Sequence, residues 1–137
     1  MDMRAFNAEV IRRFRAGEEL DGLQRDRLVL LTTIGRRSGE PRTAPMMSVD
    51  FDGDPLVVGS DDGAADDPDW VRNLRADPHA HVETPDGRRD RAVAEELTGA
   101  EREQAWQQLV AGFPFFAEHQ RRAGDRVIPL VRLRRCD

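Results

Sequence analysis

Hydrophobic positions recur along this chain with two different periods, and the switches between them mark its elements. Phe6, Val10, Ile11 and Phe14 fall at helical spacing, with Gly17 placed to end that helix. Residues 28–33 form an unbroken apolar and β-branched run, the pattern of a buried strand. Residues 35–39 carry a glycine at each end and predict a turn. A second strand is predicted over residues 42–51, where Pro45 implies an edge or a bulge. Asp52-Gly53 predicts a hairpin turn, with residues 56–60 as the returning strand. After an acidic stretch, Asp67 and Pro68 read as the N-cap and first position of a helix holding Trp70, Val71 and Leu74. Residues 80–84 and 91–97 flank Pro85-Asp86-Gly87 and predict a second hairpin. Thr98 and Glu101 have the spacing of a capping box for a helix with Trp106, Leu109 and Val110. A break at residues 112–114 precedes a short helix to residue 122, and residues 126–134 predict the last strand.

The predicted order is helix, three strands, helix, two strands, two helices, strand. Hairpins dominate it, and no regular strand-helix-strand alternation occurs, so a doubly wound parallel sheet is disfavoured. The expectation is an α+β fold: a small barrel of about six mostly antiparallel strands with flanking helices. Residues 1–24 read as an N-terminal helix and linker, and residues 25–137 as the barrel domain.

Composition narrows the function. The net charge of −5 argues against nucleic-acid binding. Cys136 is the single cysteine, which excludes an intrachain disulfide and a cysteine-based zinc cage and favours a reducing, cytoplasmic setting. All 21 basic residues are arginine, so no lysine is present to form a Schiff base. No apolar run has the length of a transmembrane helix, and none follows the N-terminal arginines as in a secretory signal. The first helix, with arginines flanking Phe6, Val10 and Phe14, is suited to at most peripheral membrane contact, and better suited to docking on the barrel. Trp70 and Trp106 lie on apolar helix faces and read as core; His79, His81 and Glu83 read as surface, with no metal site expected.

The most pointed segment is Gly35-Arg36-Arg37-Ser38-Gly39, followed by Pro41-Arg42. Its glycines permit close backbone approach, and its guanidinium and hydroxyl groups are donors for phosphate or carboxylate. It matches neither a P-loop nor a dinucleotide fingerprint. The longer run over residues 30–42, Leu-Leu-Thr-Thr-Ile-Gly-Arg-Arg-Ser-Gly-Glu-Pro-Arg, resembles the deazaflavin-dependent nitroreductase and quinone reductase family, small actinobacterial enzymes that use coenzyme F420. Further blocks match in order: Pro45-Met46 with Asp52-Gly53; Ser60 with Gly63-Ala64; residues 68–78 around Trp70, Asn73 and Leu74; and residues 113–120 followed by Ile128-Pro129.

That resemblance implies a split β-barrel and a reduced deazaflavin that delivers hydride from C5 to a quinone, nitroarene or activated enone. It implies F420 in preference to FMN. Arg36, Arg37, Ser38 and Arg42 are the matching donors for the cofactor's phosphate and oligoglutamate tail, and Pro45, Met46, Ser60 and Gly63 would line its ring. Met47, Ser48, Phe113, Phe116 and His119 would form the acceptor pocket. Ser60 and His119 are the candidate catalytic pair: Ser60 as a hydrogen-bond donor, and His119 as the nearby side chain of a type that titrates near neutrality. Asn73 would be a structural hydrogen-bonder. Two departures stand out. Asp61 and Asp62 follow Ser60 where relatives carry a lysine or asparagine and then a glycine, and Met47, Phe113, Phe116 and His119 stand where relatives have pocket tyrosines. They keep open a biosynthetic isomerase or cyclase on the same fold, or a non-catalytic binder of flavin, haem or lipid. A closed barrel permits a monomer, and an exposed sheet edge a homodimer.

Overall fold

A computed structural model describes residues 3–20 and 24–136. In chain order the elements are α1 (Met3–Ala16), β1 (Leu28–Ile34), β2 (Pro41–Phe51), β3 (Asp54–Val58), α2 (Asp69–Ala76), β4 (His79–Glu83), β5 (Arg89–Glu96), α3 (Gly99–Gly112), α4 (Phe115–Ala123) and β6 (Leu130–Arg135). The strands close into one barrel in the order β1-β2-β3-β6-β5-β4, each neighbouring pair antiparallel.

Strands whose two faces are both covered read as continuous apolar runs, and β1 is such a strand. Val29 and Leu31 enter the barrel core with Val57, Val82, Val131 and Leu133. Leu28 and Leu30, on the opposite face, pack beneath Val10 and Phe14 of α1. Val10, Ile11 and Phe14 of the apolar stripe of α1 therefore pack on the barrel wall, while Phe6 stays exposed. β3 and β6 divide in the same way: Leu56 and Leu130 turn outward to Leu109 of α3 and Phe116 of α4. Leu74 of α2 joins the barrel core, so α2 closes one end. Among the described residues, no helix is long and apolar enough to cross a membrane.

β2 changes partner midway. Residues 41–47 pair with β1, and Ser48 to Phe51 pair with β3. Pro45 lies in the part bonded to β1 alone, where a missing N–H costs least.

Three local expectations are corrected. The last strand begins at Leu130 rather than residue 126, because the Ile128 N–H donates to Gln120 Oε1 at 3.0 Å and Pro129 has no N–H for a ladder. Thr98 is the N-cap of α3, but its side chain makes no capping bond. The N-cap of α2 is Pro68 rather than Asp67, whose carboxylate is instead held by Arg75 and Arg126.

Candidate functional site

Two clusters of chemically capable side chains stand out, one at the start of β2 and one beyond the end of β3, whose last residues run beside the middle of β2. The first is a groove of about 770 Å³ between the β1–β2 turn and α2. Gly39 N–H to Gly35 O and Gly35 N–H to Glu40 O, each 2.8 Å, fold the turn tightly. A Cβ on Gly35 would stand 2.6 Å from Ser38 Oγ, so this position needs glycine for space. Arg36, Arg37, Ser38 and Arg42 all line the groove, joined by Thr33 and Trp70.

The two adjacent arginines differ in what holds them. Asn73 is 4% exposed and donates to Thr33 Oγ1 at 3.2 Å. Its Oδ1 accepts from the Arg36 N–H at 3.2 Å and from Arg36 Nη1 at 3.0 Å, while Arg36 Nη2 reaches Asp69 at 3.2 Å. Arg36 thus fastens the turn to α2. Arg37 is exposed and has no hydrogen bond or ion pair with the described residues. Its charge is free for an anion. Arg42 Nη2 lies 3.4 Å from Ser38 Oγ, and its guanidinium makes no other hydrogen bond with the described residues. Trp70 is half-buried: it packs on the barrel core and also lines the groove.

The second cluster is outside the barrel wall, where the loop after β3 meets α4. Ser60 is 7% exposed, and its Oγ lies 3.2 Å from His119 Nδ1. His119 Nε2 faces Asp62 Oδ1 at 3.5 Å. The His119 ring packs against Phe115 and Phe116 at centroid distances of 5.4 and 5.7 Å, as the helical spacing predicts. Phe113 is half-buried, and the Arg27 guanidinium stacks 4.8 Å above its ring. Asp61 and Asp62 are both exposed, which lets solvent screen their charges.

Period-two alternation divides four consecutive candidates. Met46 packs into the barrel core, and Ser48 pairs with Val57, whose side chain also points inward. Pro45 and Met47 take the other face, where Met47 packs against the cluster containing Leu56 and Phe116. Pro45, Met46, Met47 and Ser48 therefore do not line a common surface. Phe116 is 5% exposed and serves as core rather than open wall. Gly63 is buried against α4: a Cβ there would stand 2.4 Å from the His119 carbonyl oxygen, so packing explains this glycine. Ser60, His119, Met47 and Phe113 remain together on the α3–α4 side. Arg27 joins the second cluster without having been singled out in the sequence, since only tertiary packing brings it there; Trp70, read as core, also lines the groove, and Asp62 faces His119. No group of three metal-ligating side chains occurs among the described residues.

The profile of the F420H(2)-dependent quinone reductase family matches residues 3–134. The chain belongs to this family. A Mycobacterium tuberculosis protein, named as a candidate F420H(2)-dependent quinone reductase, is 33% identical over 107 residues, which cover 77% of this chain and 87% of that protein. A solved F420-H2 dependent reductase superposes with a TM-score of 0.70 at 35% identity, covering 84% of this chain and 99% of the other. A second structure, described as a domain-swapped dimer, gives a TM-score of 0.72 at 33% identity, covering 92% and 94%. The fold extends further, to a Listeria innocua structure described as a pyridoxamine 5'-phosphate oxidase, with a TM-score of 0.56 at 9% identity and coverage of 94% and 93%. The six-stranded antiparallel barrel is accordingly a split barrel of this class.

Proposed function

We propose that this family member uses reduced F420 to reduce a quinone, a nitroaromatic or an activated enone. The observation that carries the reading is the arrangement along β2. An arginine-lined groove stands at the start of β2, and the Ser60–His119 pair stands beyond the end of β3, beside the middle of β2. From Arg42 to Pro45, the residue that the β2–β3 register would set opposite Ser60, the strand spans roughly 10 Å, at about 3.3 Å per residue. A ligand with an anionic tail and a planar head suits that span, and the donor set fits it: Arg37 and Arg42 for the phosphate and carboxylates, Ser60 and His119 for the reacting end. FMN, with one phosphate and no tail, would use less of it.

When bound, reduced F420 supplies a hydride to the acceptor. The chain's own residues have a complementary task. Hydride addition to a quinone or enone leaves negative charge on the acceptor oxygen, which needs a hydrogen bond and then a proton. Ser60 donates its hydroxyl proton toward that oxygen. His119 Nδ1–H donates in turn to Ser60 Oγ and replaces the proton that Ser60 passes on. Phe113, Phe115 and Met47 supply apolar surface and exclude water. The Asp62 carboxylate faces the far nitrogen of His119 at 3.5 Å, a partner for the imidazolium that gives up the proton and is left as neutral imidazole.

Fluorescence titration with F420 and with FMN tests the binding half, and return of the oxidised deazaflavin's absorbance when F420H2 meets menadione as acceptor tests the chemistry. Tighter binding of F420 together with menadione-dependent oxidation is expected. Equal or tighter FMN binding would refute the cofactor assignment. F420 binding without turnover by quinones, nitroarenes or enones would favour the isomerase or binder alternatives.

A further inference from the structure

Arg126 lies outside every block used above, yet its side chain is 9% exposed. Its guanidinium donates from all three nitrogens. Nε bonds Ala64 O at 2.8 Å, Nη2 bonds Ser60 O at 2.7 Å, and Nη1 bonds Gly59 O at 2.9 Å and Asp67 Oδ1 at 2.8 Å. Three backbone carbonyls and a carboxylate of one loop, residues 59–67, therefore converge on a single planar cation. Such a fork-shaped donor set belongs to arginine and not to lysine.

This loop requires external support. Asp61, Asp62 and Gly63 have φ of 44°, 53° and 80°, three left-handed residues in succession, two of them with side chains. For the two aspartates this conformation costs up to about 1–3 kcal/mol each and persists only when the surroundings over-determine it, whereas glycine adopts it freely. The support is anchored at both ends. Gln120, next to His119 on α4, donates to the Arg126 carbonyl at 2.7 Å and accepts from Ile128 N–H at 3.0 Å. Asp67 also accepts from Arg75 at 2.7 Å, and Arg75 pairs with Glu96 of β5 at 3.0 Å. A closed circuit results: His119 and Gln120 share one helix, Gln120 fixes Arg126, Arg126 fixes the Ser60 carbonyl, and Ser60 Oγ returns to His119.

We infer that Arg126 is a positioning residue, which sets the Ser60 hydroxyl against His119 by clamping the carbonyls of the left-handed loop. The inference rests on the reading of Ser60 and His119 proposed above. Arg126 bonds the backbone carbonyls of the loop and the Asp67 carboxylate, and acts on the acceptor only through Ser60.

Nitrogen-15 NMR of histidine-labelled full-length protein tests the positioning directly, with His119→Phe to assign the signal and Ser60→Ala to define its position without the hydroxyl. Arg126→Ala should move the His119 Nδ1 resonance of the folded protein toward its Ser60→Ala position. Arg126→Lys, which cannot span three carbonyls, should move it part of the way. Asp67→Asn leaves the carbonyl contacts in place, so it should lower the melting temperature while the resonance stays at its wild-type position. In F420H2-dependent reduction of menadione, Arg126→Lys should lower kcat by up to about 100-fold, the scale of a misplacement of about 1 Å, with KM for F420H2 unchanged. Wild-type His119 resonances in folded Arg126→Ala overturn the inference. Should Arg126→Ala not fold, wild-type resonances in Arg126→Lys overturn it equally. Absence of turnover in the wild-type protein would defeat the proposed reaction but leave the NMR comparison standing, so the two failures are distinguishable.

Discussion

Arg36 and Arg37 are adjacent in sequence, but the first is bound to Asn73 and Asp69 while the second extends into solvent. Their alanine variants should separate accordingly. Arg37→Ala is expected to weaken F420 binding by about 1.5–3 kcal/mol, the range for hydrogen bonds to charged groups, with no change in melting temperature. Arg36→Ala should weaken binding and also cost about 0.5–1.5 kcal/mol of stability, because the buried Asn73 oxygen loses the guanidinium and keeps only the backbone N–H of residue 36 as donor. Cofactor titration and thermal melting of both variants check this, and equal stability would remove the fastening role. At the other cluster, His119→Phe keeps a ring among Phe115 and Phe116 but abolishes the bond to Ser60. The expected outcome, read by steady-state kinetics and cofactor titration, is a rate loss of about 10²–10⁴-fold with F420 affinity intact. An unchanged rate would assign the proton to water.

At the scale of elements, the contact between the loop after β3 and α4 depends on one missing side chain. Gly63 has φ of 80°, and a Cβ would meet both the His119 carbonyl oxygen and Arg122 Cβ, at 2.4 and 2.6 Å. Gly53 has a similar φ of 89° but open space around it. Gly53→Ala therefore reports the backbone cost alone. Gly63→Ala should destabilise by a further 1–3 kcal/mol or so, as for other overpacked sites, and should also move Ser60 away from His119. Chemical denaturation of the two variants measures the difference, and equal losses would mean that α4 shifts freely. The same contact explains why a predicted ring-lining glycine proves to be a packing glycine: only the helix against it distinguishes the two.

Across the whole molecule, Asp67 couples the candidate site to stability. Burial acts to raise its pKa, but hydrogen bonds from Arg75 and Arg126 outweigh that and hold it below the ordinary carboxylate range. A carboxylate depressed in the folded state stabilises fully above its unfolded pKa, and that stabilisation is lost as pH falls through the folded value. The wild-type protein should therefore melt above Asp67→Asn at pH 7, and the gap should close as pH falls below about 4, the unfolded value for aspartate. A gap independent of pH would show that the charge is not what matters. Exposed pairs such as Arg12–Glu9 add little to this behaviour in salt.

Much of the barrel was legible in the sequence because its rules are local. An apolar and β-branched run marks a strand covered on both faces, as over residues 28–33; glycine-centred turns mark hairpins; and the glycine-bracketed arginine turn marks a groove lined by guanidinium and hydroxyl donors. The sequence likewise placed His119 on the face of Phe115 and Phe116, since helical spacing alone determines that. Other features were decided only by tertiary structure. Strand alternation separated Met46 and Ser48 from Pro45 and Met47, yet which face held the core depended on what packed against each. The bond between Ser60 and His119 joins residues 59 positions apart, and no local pattern encodes it. Arg126 looked like one more charge leading into a final strand. Its role exists because a loop of left-handed residues turns three carbonyls inward, and a buried guanidinium is the side chain that can satisfy them together.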